Sequence, residues 1–373
     1  MTVTIDADFP GGNIIVERID GSQLVVRQDQ RDTAEWWFWW NFRVRGAAGR
    51  TLRVEFAGPR GPVGPNGAVM STDRRDWRWA GGEHDSRHVV CRVPDGADEL
   101  YLAFSLPYQL ADLERFVAAH RGHPEFRSSR LCTTRAGRDA PLLAIGDPRQ
   151  ASRNVLFSCR HHACESVASY VLEGVMAWLL SDDAAALRRT TAFTIVPMVD
   201  LDGVEAGDQG KSRAPHDHGR DYIDEPLYPT VRAMKGLIDD LVQRHLVLFV
   251  DFHCPWISDD GNESFFLVEP PEPLAGPLHE FAAILRETPT GPVPYTGKFD
   301  VPYGTAWNVP TSDGIGAGAY VRQAGGENLL TVYALECSYS ATEGPPVTPE
   351  SARQFGRGFA TAVERFLAAH PPT

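Results

Sequence analysis

Two spacings of apolar residues divide the chain. Through the first ~120 residues, short β-rich runs recur between Gly and Asp turns: Asn13-Ile14-Ile15-Val16, Gln23-Leu24-Val25-Val26-Arg27 and Leu52-Arg53-Val54-Glu55-Phe56. This pattern predicts an all-β module. From Glu35 to Val44 the sequence EWWFWWNFRV is aromatic at nearly every position. That suits a strand buried on both faces in the inner part of a sandwich, a reading that outweighs a tryptophan platform for sugars or bases. Glycines at 58, 61, 64 and 67 give a three-residue period. Four repeats are too few for a collagen helix, so the stretch reads as an extended, proline-stiffened loop. FSLPYQLADLERFVAAH then turns helical, and CTTRAGRDAPLLAIGD reads as a hairpin. The boundary is placed near residue 125, giving a β-sandwich domain over 1–125 and a second domain over 126–373.

In the second region strands alternate with helices, predicting an α/β domain with a mixed, largely parallel sheet and helices on both faces. The strand Asn154–Phe157 precedes a helix with apolar residues at Val167, Ala168, Val171, Leu172, Val175, Met176 and Leu179, three and four apart. A strand at Ala192–Val199, a helix at about 229–243 and a strand at Leu246–Val250 follow. A last strand, Leu330–Leu335, leads to Glu336, and an amphipathic helix at about 349–368 presents Phe355, Phe359, Val363 and Phe366.

Composition narrows the function classes. A formal charge of −13 argues against a nucleic-acid binder and against docking on an anionic membrane. No run reaches the ~20 apolar residues that cross a bilayer, and no secretory leader is read at the N-terminus. The six cysteines form no Cys-x-x-Cys pair and no disulfide framework, which fits a reduced, cytoplasmic setting. There is no Gly-x-Ser-x-Gly elbow and no Walker-type loop. Gly314 to Ala319, GIGAGA, does not directly follow a strand and is read as a mobile loop near the site rather than a dinucleotide cradle.

The stretch SCRHHACES, Ser158 to Ser166, offers Cys159, His161, His162, Cys164 and Glu165 as metal ligands. Alone it reads more readily as a polar strand-to-helix turn. Its weight comes from position: His162, Glu165, His253 and Glu336 each fall just past the carboxyl end of an expected strand, the edge where open α/β sheets bind ligands. A catalytic zinc needs about three protein ligands and an open position. His162, Glu165 and His253 supply that set, leaving Glu336 as general base for a water attacking a carbonyl. Separately, each residue has an ordinary structural explanation; together those explanations weaken.

HACE before a helix, VPMVDLDGVEAG, HDHGRDY, VDFHC and VYALECSY occur in the order found in zinc metallocarboxypeptidases. The aromatic run, FSLPYQLADLERF and LCTTRAGRDAPLLAI resemble landmarks of the cytosolic carboxypeptidase branch, so the likeness covers almost the whole chain. It implies zinc on His162, Glu165 and His253 with Glu336 as base, and makes His161, Cys159 and Cys164 neighbours of the site.

The chain also departs from that family. The arginine that polarises the scissile carbonyl would fall at Gly210, with Lys211 or Arg213 as candidate substitutes. The Asn-Arg pair that grips the terminal carboxylate appears as Gly219-Arg220, and Arg220 can still make a bidentate contact. Tyr320 is the nearest candidate for the tyrosine that covers the substrate. The expected activity is zinc-dependent removal of a C-terminal or side-chain-linked amino acid from a peptide or small amide, an acidic one if Arg220 and Lys211 face the pocket. A deacylase of a small metabolite and a binding protein without turnover are the competing readings.

Overall fold

A computed structural model describes residues 2–33, 35–257, 262–310, 314–326, 328–340 and 344–372. The β-rich N-terminal region supplies nine strands: Thr4–Asp6 (β1), Ile15–Asp20 (β2), Gln23–Arg27 (β3), Asn41–Arg45 (β4), Thr51–Phe56 (β5), Val69–Ser71 (β6), Arg78–Trp79 (β7), His88–Arg92 (β8) and Glu99–Ala103 (β9). They form a five-stranded sheet, β1-β4-β9-β6-β7, and a four-stranded sheet, β2-β3-β5-β8. Leu24, Val26, Leu52, Val54, Phe42, Val44, Leu100 and Leu102 alternate with more exposed neighbours and share one buried core. Such alternation is what two packed sheets impose.

The aromatic run differs from its expected form. Only Asn41 onward is strand; residues 36–40 belong to no strand or helix. Trp37, Phe38, Trp39 and Trp40 are nevertheless fully buried. A single side chain from the second region takes the place of a partner strand. Gln209 Oε1 accepts from the backbone N–H of Phe38 at 2.6 Å and of Trp39 at 3.3 Å, while its Nε2 donates to Trp36 O at 2.9 Å. Buried backbone groups need partners, and here they bind the β region to the loop that leads into the candidate site.

After the helix Leu110–His120 (α1) come Phe126–Thr133 (β10), Asp139–Ile145 (β11), Arg153–Cys159 (β12), Ser166–Leu179 (α2), Ala185–Arg188 (α3), Thr191–Val196 (β13), Leu201–Ala206 (α4) and Pro229–Val242 (α5). Leu246–His253 (β14), Phe266–Val268 (β15), Ala275–Glu287 (α6), Ala317–Ala324 (α7), Thr331–Glu336 (β16) and Pro349–Ala369 (α8) complete the chain. The seven-stranded sheet runs β10-β11-β13-β12-β14-β16-β15. Its centre, β13-β12-β14-β16, is parallel, and β10, β11 and β15 are antiparallel.

Neighbouring residues on the central strands face different cores, as the period of two requires. Val155 and Phe157 pack with α2 and α8, whereas Leu156 and Phe249 pack with Met234 and Ile238 of α5 and Val321 of α7. GIGAGA does not remain a loop throughout: Gly316 is the N-cap of α7. The short β15 and helix α6 had no counterpart in the sequence reading. No helix among the described residues is long and apolar enough to cross a membrane.

Candidate metal centre

Chain order around β12 places its two parallel neighbours, β13 and β14, on opposite sides, so a crevice opens at the carboxyl ends of β12 and β14. β12 stops at Cys159, and Arg160 takes a left-handed φ of 62°. That sharp turn is held by the buried Arg160 guanidinium, which donates to Ala163 O at 3.0 Å, Tyr108 O at 2.9 Å and Ser169 Oγ at 3.1 Å. The turn presents His161 and His162 and sets Glu165 as the N-cap of α2, where the helix dipole favours a carboxylate.

His162, Glu165 and His253 offer ligand atoms within 4.8 Å of one another. Both imidazoles aim Nδ1 at the same carboxylate: His162 Nδ1 lies 2.8 Å from Glu165 Oε1, and His253 Nδ1 lies 2.9 Å from Oε2. Behind them, His162 Nε2 faces Asp217 Oδ2 at 3.6 Å and His253 Nε2 bonds Asp251 Oδ2 at 2.7 Å. His253 and Glu336 are register partners on β14 and β16. Both end their strands rather than follow them.

Burial would raise the Glu165 carboxyl, but Lys211, His162 and His253 outweigh it and hold the group well below the usual carboxylate range. Burial works against charge on His253, yet Asp251 and Glu165 raise it well above an ordinary imidazole. Two nitrogens and a carboxylate converge here, and ligation by a divalent ion would displace the imidazole protons. The donor set therefore fits zinc. Glu336 differs. Burial pushes its carboxyl upward against the charges of His253 and Lys211, and its Oε2 has no hydrogen-bond partner among the described residues.

The crevice is a cavity of about 230 Å³ whose lining includes His162, Arg220, His253, Arg322 and Glu336. Lys211 is beside the centre but does not line this cavity. Its ammonium donates to Glu165 Oε1 at 2.5 Å and to Cys254 O at 2.8 Å. Arg213 is not brought to the centre. Asp32, Asp200 and Asp208 hold its guanidinium at 2.6–2.8 Å, in the wall of a separate cleft of about 610 Å³. Tyr320 is elsewhere too, bonded to Asp239 at 2.9 Å. Arg213 and Tyr320 were expected near the substrate; here carboxylates hold both side chains outside the cavity that His162, His253 and Glu336 line.

Sequence reasoning missed Asp217, Asp251 and Arg322. Asp251 could have been read from its place two residues before His253, on the same face of a strand. Arg322 carried no local signal, because its helix was not foreseen.

The zinc carboxypeptidase family model matches residues 115–225, and that of the cytosolic carboxypeptidase N-terminal domain matches residues 5–104. The two matches fall on separate parts of the chain, which carries a cytosolic carboxypeptidase N-terminal domain followed by a zinc carboxypeptidase domain. The N-terminal match and the relatives place the chain with the cytosolic carboxypeptidases. An uncharacterised protein of Zymomonas mobilis is 26% identical over 279 residues, covering 72% of this chain and 70% of that one. Mouse cytosolic carboxypeptidase 3 is 27% identical over 293 residues, covering 68% of this chain but only 29% of that protein. The fold matches a metallo-carboxypeptidase from Burkholderia cenocepacia at a TM-score of 0.82 and 22% identity over the full length of both chains. A metallo-carboxypeptidase from Pseudomonas aeruginosa aligns at 0.76 and 18% identity, over 98% of this chain and all of that one. His253 and Glu336 lie beyond the segment that the catalytic family model matches.

Proposed function

We propose that the protein is a zinc-dependent carboxypeptidase that removes a C-terminal residue bearing an acidic side chain. The observation that carries this reading is the pairing of His253 with Glu336 across adjacent strands, beside His162 and above a cavity containing two arginines. His162, Glu165 and His253 would hold the zinc, which when bound supplies Lewis acidity to polarise the scissile carbonyl and acidify water. Glu336 takes a proton from the attacking water and returns it to the leaving amine. Its raised affinity for protons and its unpartnered oxygen suit both transfers.

Arg220 lines the cavity and offers a bidentate grip for the substrate's terminal carboxylate. Arg322 has no salt-bridge partner among the described residues, and burial lowers its proton affinity. A half-buried guanidinium without a carboxylate is costly unless a ligand supplies one. Glu269, also in the lining, is bonded to His279. Arg322 therefore favours an acidic side chain. A protein that only binds has no use for an unpartnered base, which weighs against the reading without turnover.

The test is hydrolysis by the zinc-loaded protein of peptides ending in acidic, basic and apolar residues, with γ-linked glutamates and N-acyl amino acids included. Cleavage of acidic C-termini, abolished in Glu336→Gln with zinc retained, is the expected result. Activity confined to substrates without a free carboxylate would overturn the carboxypeptidase reading. Unchanged turnover in Glu336→Gln would overturn the mechanism.

A further inference from the structure

We propose that His161 and Tyr222 are positioning residues for the metal centre: through Asp251 they fix His253 so that its Nδ1 faces Glu165. The inference rests on the zinc reading above and assigns a role to the histidine that adjoins a ligand without being one.

A continuous buried chain carries it. Tyr222 OH lies 2.8 Å from His161 Nε2, and His161 Nδ1 lies 2.9 Å from Asp251 Oδ1. Ser158 Oγ donates to the same Asp251 oxygen at 2.8 Å. The other Asp251 oxygen meets His253 Nε2 at 2.7 Å. His161 and Ser158 are wholly buried, and Tyr222 and Asp251 nearly so.

Proton positions follow from the chemistry of the groups. An ionised carboxylate only accepts, so Ser158, His161 and His253 must all donate to Asp251. His253 Nε2 therefore donates to Asp251, and Nδ1, which faces Glu165 Oε2 at 2.9 Å and donates to it in the metal-free chain, is the nitrogen that a metal would take. His161 likewise places its hydrogen on Nδ1, and its neutral form accepts from the Tyr222 hydroxyl at Nε2. Every link is satisfied, and such networks hold one geometry when complete. Partners behind a ligating imidazole set its tautomer and orientation. Here that partner, Asp251, is itself held by an imidazole and a serine.

His161, Asp251 and His253 also bring ligand atoms within 4.8 Å of one another. That group is an alternative seat for a metal. It is disfavoured because His161 does not line the cavity that reaches His162, His253 and Glu336.

The experiment measures zinc affinity of the full chain by competition with a chromophoric chelator, and the visible spectrum after cobalt substitution. The variants are Tyr222→Phe, His161→Leu, their double mutant and His162→Ala. Tyr170→Phe serves as control, because it deletes another buried hydroxyl, bonded to Pro107 O at 2.7 Å, away from this chain. The expected result is roughly 10- to 100-fold weaker zinc binding in His161→Leu and about fivefold in Tyr222→Phe, the share of one neutral hydrogen bond. The double mutant should bind no worse than His161→Leu, because Tyr222 acts through His161. Cobalt spectra should shift in these variants and not in Tyr170→Phe.

Wild-type affinity and spectrum in Tyr222→Phe and His161→Leu would overturn the inference while leaving the zinc reading intact. Additive losses in the double mutant would also overturn it. Zinc retained in His162→Ala but lost in His161→Leu would seat the ion at the Asp251 cluster and overturn it as well. A wild-type chain that binds no zinc would refute the metal reading and the inference together. Should His161→Leu fail to fold, Tyr222→Phe, one oxygen smaller than wild type, decides alone.

Discussion

Gly210 falls where the resemblance to zinc carboxypeptidases would put a carbonyl-polarising arginine, so Gly210→Arg is the obvious attempt at repair, and the backbone forbids it. Gly210 has φ +83°, and a Cβ built there would lie 2.5 Å from Ala163 N and 3.1 Å from His162 Cα. An L-residue held in this left-handed region costs about 1–2 kcal/mol. Forcing a side-chain atom against close-packed backbone adds about 1–3 kcal/mol, for a total of roughly 2–5 kcal/mol. Relief of the clash must move the His162–Ala163 peptide, which carries a proposed ligand. We therefore expect urea unfolding to show that loss of stability in Gly210→Arg and already in Gly210→Ala, with zinc affinity at least about tenfold weaker, as when a ligand's support is disturbed. Gly219→Asn is the contrast. Its backbone is not left-handed, and the added Cβ would meet Asp217 Oδ1 and His162 Nε2 at 3.2 Å, a fit that side chains can accommodate by a small shift, so it should fold with a smaller loss. Gly210→Arg with wild-type stability and zinc affinity, or with higher turnover, would refute this account of the loop.

Three further outcomes follow from the site. Glu336→Gln should lower kcat by roughly 10²- to 10⁴-fold with one zinc still bound, read by elemental analysis beside steady-state kinetics. Arg322→Ala should raise KM for an acidic C-terminal residue by about tenfold or more, the share of a charged hydrogen bond, and leave apolar substrates nearly unaffected; equal effects on both would remove Arg322 from specificity. Burial works to raise Asp217, but His162 chiefly, with Arg220 and Lys211, lowers it from 3.8 to about 2. A depressed carboxyl stabilises the fold above its unfolded value and loses that contribution as pH falls through the folded one. The chelator-treated protein should therefore lose stability between pH 3.8 and about 2, and Asp217→Asn should flatten that part of the profile.

The layering of the fold was legible because it depends on spacing that a single strand or helix displays by itself. The aromatic run shows where that logic stops. Burial of Trp37 to Trp40 was readable from composition, but the partner that replaces a strand is the side chain of Gln209, some 170 residues away, and no local pattern announces it. Likewise α7 begins inside GIGAGA, whose glycines conceal a helix start; only the cap at Gly316 and the packing of Val321 against α5 and β16 make it helical.

The basic residues after Gly210 were indistinguishable in sequence for a related reason. Lys211 and Arg213 are two positions apart, and in an extended chain they would share a side. Gly210 and Ser212 both adopt positive φ, 83° and 51°, so the backbone coils between them and the two side chains part. Lys211 turns toward Glu165, and Arg213 turns toward three aspartates. Gly210 therefore does more than remove a side chain. Its conformation brings the loop against His162 and leaves the nearest cation bonded to a proposed zinc ligand rather than free in the cavity. A carbonyl-polarising role for Lys211 would require it to leave Glu165. Lys211→Met separates the two roles: if the ammonium serves only to hold Glu165, the variant alters zinc affinity and leaves turnover of the zinc-saturated protein close to wild type, whereas a fall in kcat at saturating zinc would show that the ammonium reaches the substrate.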